Sequence, residues 1–139
     1  MPRETWLALL LAAGCKTPTP DTVTPTVVQA AEDRDALAVS DELEALIADG
    51  QASEDDRVYA LDRIRSIPDD DSAGYAFARA AVAGRVAELR GVKAGKLVTE
   101  AESFAQRSIE RDADFRSKAA SRLLASLWVM APPRLLEHG

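Results

Sequence analysis

The sequence predicts an all-α protein built from antiparallel helical hairpins, and three observations carry that prediction. From residue 29 onward apolar side chains recur at spacings of three and four. The alternating β-branched pattern of strands is missing, and Ser, Asp, Gly and Pro sit where helices would start and stop. The chain has 139 residues, 47% of them apolar and 29% charged, which suits one domain with one ordinary core.

The first element reads as an export tag. In MPRETWLALLLAAGC a single base, Arg3, precedes an apolar run from Trp6 to Ala13, followed by Gly14 and the only cysteine, Cys15. Eight apolar residues make about 12 Å of helix, against a hydrocarbon core of about 30 Å, so the run is too short to span a bilayer. The ending Leu11-Ala12-Ala13-Gly14-Cys15 resembles the bacterial lipobox. That resemblance implies a signal peptide over residues 1–14, cleavage between Gly14 and Cys15, and a lipid joined to the Cys15 thiol. Lys16, rather than Asp, after the cysteine implies the outer membrane, with the protein facing the periplasm. The competing reading is an amphipathic first helix with a buried free cysteine.

Residues 15–28 alternate Thr and Pro with little charge, which predicts an extended tether. A helical domain should then fill residues 29–139. Its first helix is expected over roughly Gln29 to Asp49, interrupted at Ser40 as an internal N-cap. Ser53 and Asp56 have capping-box spacing for a helix carrying Val58, Leu61, Ile64 and Ile67 and ending before Pro68. Asp69-Asp70-Asp71-Ser72 should cap a helix from Ala73 to Arg90, closed by Gly91. Three consecutive Asp lack the alternating spacing of a calcium loop. Further helices are expected from about Leu97 to Arg111 and from Phe115 to Met130, the last stopped by Pro132-Pro133.

Helices of this length joined by short turns suggest repeats. Ala80, Ala83, Gly84, Ala87 and Gly91 fit the small positions of a tetratricopeptide first helix, and Ala101, Ala105, Ser108 and Ala113 those of its second. The segment from Leu124 to Pro132 is similar to the T-component lipoproteins of tripartite ATP-independent periplasmic (TRAP) transporters. This resemblance implies a degenerate repeat scaffold, without catalysis, that binds a periplasmic solute receptor and an apolar ligand. A closed helical bundle is the alternative, since Ala and Gly at helical spacing also serve plain close packing. The last repeat stops one turn into its second helix, so truncation at the C-terminus is expected.

Charge is divided along the chain. Residues 32–71 carry fourteen acids and four bases, and residues 72–139 seven acids and eleven bases, so the net charge of −6 hides segments of −10 and +4. These halves should attract each other or different partners. Nucleic acid is not an expected partner of an acidic, exported chain. Arg79, Arg85 and Arg90 are the candidate recognition surface, and Phe77, Phe104 and Trp128 the candidate walls of an apolar cavity.

One Cys and one His exclude a Cys/His metal cage, and His138 lies at the frayed end of the chain. Glu100 and Glu102 do not share a helical face. No enzyme, metal site or cofactor is therefore expected. The leading expectation is a lipid-anchored, non-catalytic scaffold that binds protein partners in the cell envelope. A transporter accessory role and a purely structural envelope lipoprotein are the alternatives, and oligomerisation is open.

Overall fold

Pro25 begins a helix where the sequence predicts a tether. In the computed structural model, which describes residues 17–136, a 3₁₀ turn over Pro20–Thr22 leads into α1 (Pro25–Glu32). Proline suits a first helical position because its missing N–H needs no partner there. Val27 is 0% exposed and Val23 is also buried, so this stretch belongs to the core and does not act as a spacer. The expected tether is thus corrected from Pro20 onward. Cys15 and Gly14 lie outside the described residues.

The break in the first helical region falls earlier than Ser40. Arg34 adopts a left-handed φ of 53°, and Asp35 caps α2 (Ala36–Ala48) by accepting from the N–H groups of Leu37 at 3.0 Å and Ala38 at 3.2 Å. Ser40 is buried inside α2. The capping box is present at α3 (Glu54–Ser66): Asp56 N–H donates to Ser53 Oγ and Ser53 N–H to the Asp56 carboxylate.

Ser72 caps α4 (Ala73–Ala87) through Tyr75 N–H. The three aspartates precede that cap rather than filling the first turn. Two of them reach α5 (Gly95–Arg111), Asp69 pairing with Arg107 and Asp71 with Arg111. α4 ends three residues before Arg90, and a second 3₁₀ turn starts at Gly91, whose φ is 53°.

The final helix, α6 (Ala119–Met130), starts later than Phe115 because Arg116, Ser117 and Lys118 hold successive left-handed φ values of 46°, 56° and 63°. This left-handed turn is fastened from both sides. Arg116 forms a bidentate pair with Asp41 on α2, and Arg122 donates back to the carbonyls of Ser117 and Arg116.

All regular elements among the described residues are helical, and α4 is their hub. Eleven of its fifteen residues are buried. Its small side chains let α2, α3 and α5 approach together. Ser108 near the end of α5 donates to the Ala73 carbonyl at the start of α4, while Ala87 at the end of α4 clusters with Val98 at the start of α5. The two therefore form an antiparallel hairpin. Val27, Val39, Leu43, Ile64 and Val82 make the dry centre between α1, α2, α3 and α4. Smaller clusters, Ala80 with Ala105 and Leu124, and Ala87 with Ala94 and Val98, attach α5 and α6. Among the described residues, no helix is long and apolar enough to cross a membrane.

Candidate functional site: an apolar groove between α4 and α6

The small-residue helix does not face a neighbour along its whole length. Ala80 packs against Ala105 and Leu124, but a Cβ added at Gly84 would meet nothing within 4 Å. Above Gly84 and Ala81 lies a groove of about 810 Å³, walled by Phe77 on one side and by Leu123, Leu127 and Met130 of α6 on the other. Val92, Val98 and Leu135 close one end. It exists because α6 rests on α5 and touches α4 only lightly, leaving the Ala81–Gly84 surface uncovered. Such a concave, largely apolar space is the usual form of a binding site.

The rim carries charge. Arg85 reaches across to α2 and holds both oxygens of Glu44 at 2.8 Å, while also donating to Glu88 at 3.0 Å. These bonds hold the Arg85 guanidinium well above its ordinary pKa, the Glu44 bond outweighing burial. Glu88 in turn accepts from Arg57 at 2.9 Å. Arg122 stands on the α6 side of the groove.

The predicted recognition surface is only partly assembled. Of Arg79, Arg85 and Arg90, Arg85 alone borders the groove, and all three are committed to acids of the same chain. Arg79 donates to Glu100 at 2.8 Å and to the Tyr75 hydroxyl at 3.3 Å. Glu100 also pairs with Arg65. Burial pushes the Glu100 carboxyl up, but its hydrogen bonds to Arg65 and Arg79 outweigh this and hold it below the usual value. Arg90 pairs with Glu54 at 2.7 Å. An arginine whose charge is already matched has little left to offer a partner.

The expected cavity walled by Phe77, Phe104 and Trp128 is not formed. Phe77 lines the groove and packs against Phe115, with ring centroids 5.9 Å apart. Phe104 is on another face, under the guanidinium carbons of Arg79 and Arg107 at 4.2 and 4.5 Å from its ring centre. Trp128 is 47% exposed outside the groove. Leu123, Met130 and Leu135 form walls that sequence reasoning missed, because the groove arises from how far α6 stands from α4.

The sequence matches no protein-family model, and no curated protein is significantly similar to it. The groove itself therefore carries the functional argument.

Proposed function

We propose that this protein is a non-catalytic helical scaffold of the bacterial cell envelope, anchored through lipid on Cys15, and that the groove between α4 and α6 receives an apolar segment of a protein partner. One observation carries the binding part of this reading: a groove of about 810 Å³ with an apolar floor at Ala81 and Gly84 and a fixed polar rim at Arg85 and Glu44. Apolar walls supply affinity through burial, at roughly 25 cal/mol per Å² removed from water, while the internally paired Arg85 and Glu44 bound the groove without being spent on the partner. The anchoring part rests on the likeness of Leu11–Cys15 to a lipobox.

The same groove would also suit a small apolar ligand, as in the TRAP T-component-like reading. A photo-crosslinking residue placed at Gly84, where a side chain has open space, separates the two in cells. A protein adduct formed from Gly84 but not from exposed Glu110 is the expected result. An adduct of small-molecule mass would favour the transport accessory, and no adduct would remove both. Intact mass of the protein from bacterial membranes tests the anchor independently. Loss of residues 1–14 with added lipid mass is expected, and an unmodified full-length chain would overturn it.

A further inference from the structure

The charge of the region around the start of α5 and the end of α6 is unlike that of the rest of the chain. Residues 89–99 contain Arg90, Lys93 and Lys96 and no acid, and residues 118–136 contain Lys118, Arg122 and Arg134 and no acid. The two segments meet in space, since Ala94 and Val98 cluster with Leu127, Ala131 and Leu135. Every ion pair among the described residues uses an arginine. Lys93, Lys96 and Arg134 are exposed and belong to none of these pairs. In a chain of net charge −6, this end of the molecule thus gathers three exposed cations outside the ion pairs, while its Arg90 is matched by Glu54.

The same region bears the large apolar side chains that the fold leaves in water: Val92 at 67%, Trp128 at 47%, Val129 at 85% and Met130 at 72% exposure. Val92 and Met130 both border the groove, which places the two segments' exposed residues together. Trp128, Val129 and Met130 are consecutive in α6, so they fan over about 200° of the helix. A single protein groove would cover only part of that arc, whereas a bilayer interface can take the whole fan. Trp, aliphatic tips and unpaired bases together match the headgroup region of an anionic membrane.

We infer that this end of the molecule, formed by Val92, Lys93 and Lys96 with Trp128–Met130 and Arg134, docks peripherally on an anionic phospholipid surface. The contact is separate from the lipid at Cys15 and does not depend on it. A second copy is a poorer occupant, because a symmetric contact would press two basic patches together.

The test uses the full chain carrying Cys15→Ser and Trp6→Phe, which removes the thiol and leaves Trp128 as the only indole. It is mixed at low salt with vesicles of phosphatidylcholine, with or without an equal part of phosphatidylglycerol. On the anionic vesicles Trp128 emission should shift to the blue and be quenched by brominated acyl chains, and added salt should reverse both. Lys93→Gln with Lys96→Gln should weaken partition about 30-fold, on the basis of roughly 1 kcal/mol per basic residue near the surface. Val129→Ser with Met130→Ser should abolish the shift without altering helicity, as both side chains are exposed. Unchanged Trp128 emission, including co-sedimentation through the N-terminal segment alone, would overturn the inference. So would an equal shift on neutral vesicles, or one produced by raising protein concentration without lipid, which would indicate self-association.

Discussion

The carboxylate of Asp56, 0% exposed at the start of α3, accepts hydrogen bonds from both the backbone N–H and the hydroxyl of Thr24, at 2.6 and 2.8 Å. Thr24 stands immediately before α1 and 32 residues before Asp56, so one side chain fastens the beginnings of two helices while completing the capping box with Ser53. Asp56→Ala would remove the acceptor from these part-buried donors and should destabilise the fold by about 1 to 3 kcal/mol, read from urea unfolding. Thr24→Val should cost less, about 1 kcal/mol, and adding it to Asp56→Ala should cost less than the sum.

Acid should expose the same clamp. Burial pushes the Asp56 carboxyl up, but hydrogen bonds from Ser53 and Thr24 more than reverse this, leaving it below its ordinary 3.8; Glu100 is likewise held below 4.5. The unfolded chain therefore takes up protons first as pH falls. The stabilisation from these two carboxylates is complete above the unfolded-state values, shrinks below them, and is lost as pH drops through the lower folded-state values. The stability gap between wild type and Asp56→Asn/Glu100→Gln should be constant above about pH 6 and narrow by about pH 3.

Two glycines on α4 should respond in opposite directions. Gly84→Ala meets open space and should stabilise by about 0.5 to 1 kcal/mol through helix propensity. At Gly74 the added methyl would come to 2.8 Å from Leu37 Cδ1, displacing a side chain at the α2 interface. Gly74→Ala should destabilise by up to about 1 kcal/mol, seen as a lower thermal midpoint.

The left-handed turn before α6 holds three non-glycine residues where L side chains are crowded. Ser117→Gly should relieve one of them and raise stability by about 1 kcal/mol, whereas β-branched Val there should lower it. Both are measurable by denaturant midpoint.

Arg85→Met should alter stability more than binding, because its guanidinium is already held by Glu44 and Glu88. The site is partly exposed, so solvent screening limits the effect to about 1 kcal/mol or less. Reversing the pair, as Arg85→Glu with Glu44→Arg, should restore part of the loss.

Helix identity was legible in the sequence because it is written locally. Ser53, Asp56 and Ser72 cap the helices they announce, and Ile67 ends α3 before Pro68. The stretch before residue 29 was misread because proline spacing resembles a linker, while the burial of Val23 and Val27 depends on surfaces supplied by α2 and α3. The start of α6 was misread because Arg116, Ser117 and Lys118 carry no sequence mark of a left-handed turn; Asp41 and Arg122 help hold it there. The groove was illegible for a related reason. Ala80 and Gly84 look alike in a small-residue stripe, and only the packing of Ala105 and Leu124 on the first and not the second decides which one is covered.

The opposite charges of the chain's two portions are largely spent on each other. Seven of the nine ion pairs among the described residues join a residue up to Asp71 with one after it: Arg57–Glu88, Arg65–Glu100, Arg85–Glu44, Arg90–Glu54, Arg107–Asp69, Arg111–Asp71 and Arg116–Asp41. A cut in the exposed Asp69–Asp71 turn would accordingly yield two fragments of opposite sign, each carrying the complement of the other's surface. Their reassociation would be fast at low salt and slow at high salt.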